Sequence, residues 1–208
     1  MEINKFLNLK PEKQERILNA ALKEFAKKGY KNAMTDEIAK EANISKGALF
    51  QYFTNKKALF LFLYDHTLDI VMREYFQKIN MDEKDILKRL KQILFIEFTL
   101  LKKYPDLFDF IEVVNHEESI EVINDLRMRN KEYVMSSYDK LMEGIDTSLF
   151  KEDVEISRAI NVIIWTMEGF GKNQKEQMKQ QSLTELNFDV IFAEADIYCE
   201  LLTKLFYK

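Results

Sequence analysis

Five glycines, two prolines, one cysteine and two histidines in 208 residues narrow the chemistry of this chain before any motif is read. Strand-rich folds need frequent turn residues, so an all-β sandwich or barrel is set aside. A lone cysteine, Cys199, allows no intramolecular disulfide and no multi-cysteine zinc or iron–sulfur site. Two histidines, His66 and His116, leave little for histidine-based metal chemistry. The longest nearly uncharged apolar run, Ala159–Met167, is far short of the roughly 20 residues that a bilayer span needs. The opening MEINKFLNLKPEKQER lacks the basic-then-apolar pattern of a secretory leader. These absences predict a cytoplasmic protein with no membrane partner, no metal and no cofactor.

Enzyme signatures are missing too. Helical metal enzymes place Glu-x-x-His pairs on facing helices, whereas Glu112 and His116 are four apart and unrepeated. Neither a Gly-x-x-x-x-Gly-Lys phosphate loop nor a Gly-x-Ser-x-Gly elbow occurs. Cys199 falls on an apolar helical stripe, a poor setting for a reactive thiol.

What the chain does have is apolar content of 47% and a net charge of only −4, enough for a real core. The charge is unevenly spread. Residues 1–60 hold 12 Lys/Arg against 7 Asp/Glu, and the remainder 19 against 28, a balance of +5 and −9. A basic N-terminal segment on an acidic chain suits an anionic partner, nucleic acid or a membrane surface, although an imbalance of this size also arises by chance.

Helical periodicity runs nearly throughout and predicts an all-α fold of about nine helices. Pro11 suits a first helical position and Glu12 the positive end of the helix. Ile17, Leu18, Ala21, Leu22 and Phe25 form its inner stripe, and Gly29 ends it. Thr35 is the expected N-cap of a helix with Ile38, Ala39 and Ala42 inside. Asn43 tolerates the left-handed turn that follows. Ser45 caps a second short helix that buries Leu49 and Phe53, and Asn55 opens a long one. Further helices are expected over 85–104, where Pro105 ends or restarts the chain, and over 119–142, 152–172 and 188–206. Residues 173–185 read as the exposed end of a helix and a loop.

The stretch 35–53, TDEIAKEANISKGALFQYF, has the arithmetic of a helix-turn-helix. Ala39 permits a close helix crossing, and Ile44 and Leu49 fill it. The outer face of the second helix carries Lys46, Gly47, Ala48, Gln51 and Tyr52. Lys46 can neutralise a phosphate and Tyr52 can hydrogen-bond one. Gln51 can pair bidentately with adenine, and the Ala48 methyl can touch a thymine methyl. A helical adaptor that binds only protein is the competing reading, but it has no reason to keep Lys46, Gly47 and Tyr52 outward.

Over residues 17–60 the chain resembles the TetR family of transcriptional regulators. The matching pieces are ILNAALKEFAKKGY, T-x-x-x-I-A-x-x-A, S-K-G-x-L, YF and N-K-x-x-LF, in order and without gaps. Ala48 stands where threonine is frequent and Phe50 where tyrosine is, and each loses a hydroxyl. The resemblance implies backbone contacts from Thr35, Ser45, Lys46, Tyr52 and Lys56, with Gly47, Ala48 and Gln51 at the bases. It also implies a ligand-responsive homodimer on a palindromic operator, with residues 1–54 binding DNA and 55–208 binding ligand and dimerising. Two recognition helices about 34–36 Å apart would enter successive major grooves. An inducer would act through the long helix from Asn55. The residues do not separate a repressor from an activator.

Beyond residue 55 the expectations rest on pattern. Residues 159–170 are apolar nearly all round, and 188–206 carry a wide apolar stripe. Together they predict a two-fold four-helix interface through Ile163, Met167, Phe170, Phe188, Ile191, Phe192, Ala195 and Leu202. Candidate ligand residues are Phe95, Phe98, Phe108, Glu112, His116, Tyr133, Tyr138, Trp165 and Glu168, rings and polar groups beside apolar runs that also suit an ordinary core.

Overall fold

The computed structural model describes residues 3–178 and 187–208, and all their side chains save those at 76 and 132–138. Among them are ten α-helices, a short 3-10 turn, and a single isolated bridge between Phe150 and Tyr207. The helices are α1 (Ile3–Leu7), α2 (Pro11–Asn32), α3 (Thr35–Glu41), α4 (Lys46–Tyr52), α5 (Lys56–Lys78), α6 (Ile86–Lys103), α7 (Pro105–Asn115), α8 (Ile123–Met142), α9 (Ile156–Met178) and α10 (Phe188–Phe206). No helix among the described residues is long and apolar enough to cross a membrane. No group of three or more His, Cys, Asp or Glu among them could hold a metal ion.

Several local signals act as expected. Pro11 opens α2. Gly29, at φ 69°, breaks it in a conformation that disfavours side chains, and one more helical turn follows. Asn43 takes φ 51° between α3 and α4. The Ser45 hydroxyl accepts the Ala48 N–H at 3.1 Å. Thr35 does not cap: the extended residue before α3 is Met34, which makes Thr35 the first helical residue. A cap must be the last residue outside the helix, and here Met34 holds that place, its own N–H taken by Glu24 at 2.9 Å.

The chain packs as two compact units, Met1–Arg73 with Tyr104–Val134, and Glu74–Lys103 with Met135–Lys208. The division therefore falls inside α5 and α8, whereas the motif-based boundary stands at 54/55. In the first unit α1 is an element the periodicity did not announce. Its Phe6 is buried against Phe53 (5.0 Å between ring centroids) and Phe62 (5.5 Å). Gln14 closes the end of α1 by donating to the carbonyls of Leu7 and Leu9. Arg16 ties α2 to the end of α3 through the Ala42 carbonyl at 2.7 Å. Phe25, Phe60 and Phe110 meet edge to face or tilted, with Phe60 4.9 Å from Phe25 and 5.4 Å from Phe110. Residues of α7 and α8 thus complete the core beneath α2–α4.

The second unit buries Leu90, Leu94 and Phe98 of α6 against α9 and α10. Gly171 lets α9 come close, since a Cβ there would lie 3.0 Å from Leu94 Cδ1. Within the single chain, the residues expected to meet a second subunit pack in this core. Ile163, Met167, Phe170, Ile191, Ala195 and Leu202 are buried, with Phe188 and Phe192 packed against them. The outward apolar residues are Val162 and Trp165 on α9 and Val190, Ile197, Tyr198, Leu201 and Leu205 on α10. Both helices are apolar on two faces, and periodicity alone does not say which face is turned inward. Cys199 is half-buried beside Met167, and burial pushes its thiol up, the wrong direction for a nucleophile.

Arg89 is the one charged side chain buried outright among the described residues. Its guanidinium donates to the carbonyls of Met81 (2.9 Å), Leu141 (2.7 Å) and Glu143 (2.8 Å), and twice to that of Glu83. One planar fork therefore fastens the turn before α6 to the end of α8. Arg89→Met leaves these carbonyls without donors, and we expect a loss of about 3–5 kcal/mol by analogy with breaking a buried pair. At about 2–4 °C per kcal/mol, thermal unfolding followed by circular dichroism should fall by roughly 6–20 °C. Arg89→Lys, with fewer donors and no fork, should recover less than half of this.

Candidate nucleic-acid interface

Two seven-residue helices, α3 and α4, pack together, and Ala39 and Leu49 are buried with Ile38, Ala42 and Phe53. The opposite side of α4 is open. Lys46, Gly47 and Gln51 are exposed, and Ala48 and Tyr52 are half-buried. A Cβ added to Gly47 would meet only the Ser45 hydroxyl, at 4.0 Å. Among the described residues no contact requires a glycine here, and the surface over position 47 is open.

The polar groups around this face are partly preoccupied. Lys46 pairs with Asp36 of α3 at 2.9 Å, both side chains more than half exposed. Such a pair is worth little in water and exchanges readily for a phosphate. The Ser45 hydroxyl accepts from Ala48 and still has its proton to donate. Tyr52 accepts from Lys13 Nζ at 3.2 Å and likewise keeps its own O–H free. Lys13, on the first turn of α2, thus belongs to this face, although the motif did not announce it.

Lys56, at the start of α5, is half-buried. It lies 5.0 Å from the centroid of the Tyr30 ring and donates to the Lys31 carbonyl at 3.1 Å. Burial lowers its pKa, while Glu121, Glu117 and Glu24 act in the other direction. Asn55 caps α5 through Ala58 N–H at 2.8 Å. Thr35 sits half-buried on the first turn of α3.

The ring and polar residues read as ligand contacts do not form one set. Phe98 belongs to the core of the second unit. Phe95 is exposed and packs on Phe192 at 5.1 Å. Trp165, 67% exposed, and Glu168 face outward from α9, because its inner stripe is taken by 160, 163, 164, 167 and 171. Phe108 and Glu112 are half-buried on α7. Tyr133 and Tyr138 lie outside the described side chains. His116, at the end of α7, lines a cavity of about 380 Å³ with Tyr64, Val114, Asn115, Arg127 and Asn130.

Comparison with known proteins bears on the same segment. Residues 17–63 match the family described as bacterial regulatory proteins, tetR family. The uncharacterized HTH-type transcriptional regulator YuxN of Bacillus subtilis is 48% identical over 58 residues, 28% of this chain and 20% of that protein. The fatty acid metabolism regulator protein of the same organism is 24% identical over 159 residues, covering 75% and 80%. The biofilm operon icaADBC negative transcriptional regulator IcaR of Staphylococcus epidermidis is 24% identical over 198 residues, covering 84% and 97%. The chain therefore spans about a fifth of YuxN but most of the other two. Among solved structures, a TetR family regulator from Chloroflexus aurantiacus superposes with a TM-score of 0.69 at 19% identity over 99% of this chain and 98% of that one. FadR of Bacillus subtilis in complex with stearoyl-CoA does so at 0.65 and 20%, over 91% and 97%. These two likenesses show the fold.

Lys46→Ala should weaken binding to every duplex alike and reduce the slope of log K against log salt by up to about 0.9. Gln51→Ala should leave that slope unchanged and relax base preference. Fluorescence anisotropy at two salt concentrations separates the two effects.

Proposed function

We propose that the chain, whose residues 17–63 match the TetR family of bacterial regulatory proteins, is a member of that family and a homodimeric repressor that releases a palindromic operator when a small hydrophobic or amphipathic molecule binds it. In this reading Thr35, Ser45, Lys46, Tyr52 and Lys56, joined by Lys13, hold phosphates. Gly47, Ala48 and Gln51 face the bases. The observation that carries it is Gly47, a helical glycine on an open face where, among the described residues, an added Cβ would meet only the Ser45 hydroxyl. A protein-binding adaptor has no need of that gap beside Lys46 and Gln51.

The finer parts rest on separate supports. IcaR is named a negative regulator, which favours repression. FadR of Bacillus subtilis was solved with stearoyl-CoA, which favours an amphipathic effector. The cavity at Tyr64, Asn115, His116 and Arg127 is within the size range of small-molecule sites. Tyr64 is 2% exposed and, among the described residues, has no hydrogen-bond partner, so its hydroxyl is available to an occupant. For the dimer, the outward residues of α10 fall at 190, 197, 201 and 205, and those of α9 at 162 and 165. Large apolar side chains turned outward along two neighbouring helices favour an interface there.

Gly47→Leu decides between regulator and adaptor. Its thermal midpoint should stay the same or rise, since leucine is the better helix former. Its affinity for duplex DNA should drop at least tenfold, because the added side chain stands where the groove would be. Unchanged DNA binding would refute this placement of α4. Ile197→Glu with Leu201→Glu should sediment as a 24.8 kDa monomer, keep its helical circular dichroism, and lose most operator affinity. A variant that remains dimeric would place the interface elsewhere.

A further inference from the structure

The turn after α7 contains three glutamates in the run His116-Glu117-Glu118-Ser119-Ile120-Glu121. Two of them hold one tyrosine. Glu117 Oε2 accepts the Tyr30 backbone N–H at 2.9 Å, while its other oxygen accepts the Ser119 N–H at 2.9 Å. Glu121 accepts the Tyr30 hydroxyl at 2.5 Å. Gly29 immediately precedes the Tyr30 amide, and its positive φ is a conformation that side chains rarely adopt. The Tyr30 ring is 4% exposed, edge-on to Phe60 at 5.1 Å, and so has little freedom of its own.

On the face of that ring sits Lys56. Other lysines of this unit, Lys46 and Lys57, are neutralised by carboxylates at 2.9 and 2.8 Å. Lys56 instead has a ring face and one carbonyl as its partners. Neither neutralises its charge, and both fix its direction. Burial lowers the pKa of Lys56, and Glu121, Glu117 and Glu24 work against that shift. The ammonium is thus oriented by the ring and the carbonyl, with no carboxylate in direct contact among the described residues.

We propose that Glu117 and Glu121 are positioning residues for DNA binding: by clamping Tyr30 they fix the ring on which Lys56 is presented to a phosphate. The proposal rests on the reading of Lys56 as a backbone contact. It adds that acidic residues some sixty positions away from Lys56, which would by charge alone repel DNA, support its binding.

The test is a double-mutant cycle on the full-length protein, measured by fluorescence anisotropy with a short duplex at low salt. Phosphate contacts are sequence-independent, so the operator need not be known. Lys56→Met should weaken binding about 3–10-fold and lower the salt slope by up to about 0.9. Tyr30→Phe keeps the ring and removes only the hydroxyl held by Glu121. It should weaken binding about threefold alone and have no further effect in the Lys56→Met background. Glu121→Ala should behave like Tyr30→Phe and gives an independent readout should the tyrosine variant fold poorly. Glu121→Gln, which can still accept the hydroxyl proton, should bind as well as the parent or better, since a negative charge is gone. If Tyr30→Phe and Glu121→Ala weaken binding equally with and without Lys56, or not at all, the clamp is refuted. If Lys56→Met changes nothing while Gly47→Leu still abolishes binding, the role of Lys56 fails and this proposal with it, but the DNA-binding reading stands.

Discussion

Helices of seven residues do not hold themselves in water, because the cost of nucleation is spread over too few hydrogen bonds. Both α3 and α4 are of that length, so their geometry is set by what lies beneath them. That support is the contact of Phe25, Phe60 and Phe110, three rings from α2, α5 and α7 that are each essentially inaccessible to solvent. Each such ring contributes a few kcal/mol through burial, with about 0.5–1.5 more for the edge-to-face geometry. A second ring group, Phe6 with Phe53 and Phe62, fastens the end of α4 from the other side. The outer face of α4 is free to carry small and polar residues because its inner face and its neighbours supply the stability.

Charge follows a similar division of labour. Lys46 is paired, Lys13 leans on Tyr52 by both hydrogen bond and ring, and Lys56 rests on Tyr30. A lysine side chain carries up to about 2 kcal/mol of rotamer entropy. A phosphate contact made by a free lysine loses that entropy on binding, whereas one already resting on a ring has lost part of it on folding. Presenting lysines on tyrosines is therefore a form of preorganisation, and it confines the favourable charge to one part of the molecule. Residues 1–60 carry +5 and the rest −9, so an approaching polyanion is drawn to the one segment and repelled by the other.

Much of this was legible in the sequence. Pro11, Gly29, Asn43, Ser45 and Asn55 each impose a local backbone preference, and the structure uses every one of them. The open face of α4 followed from the buried positions Leu49 and Phe53. What sequence could not disclose was set by tertiary choice. Thr35 is a good capping residue, but Glu24, ten residues away, holds Met34 at the cap position. The segment before Pro11 has too few residues to show a period, yet Phe6 finds a cavity and a helix forms around it. On α9 and α10 the sequence offered two apolar faces, and only the packing of α6 against one of them identified the other as outward. Lys13, Glu117 and Glu121 had no signature at all. Their roles depend on residues that are distant in the chain.

Glu117 shows how closely those distant relations are drawn. One of its oxygens holds the Tyr30 amide and the other the Ser119 amide, and the same residue lines the cavity beside His116 and Tyr64. A carboxylate offers about four acceptor sites, so a donor that enters this cavity either shares Glu117 with the two backbone N–H groups or displaces one of them. A buried donor left unpaired costs about 1–3 kcal/mol, which is also the usual size of a coupling between two sites. Occupancy of the cavity and the seating of Tyr30 therefore draw on the same carboxylate, and a ligand that displaces the Tyr30 amide from it would loosen the floor on which Lys56 rests.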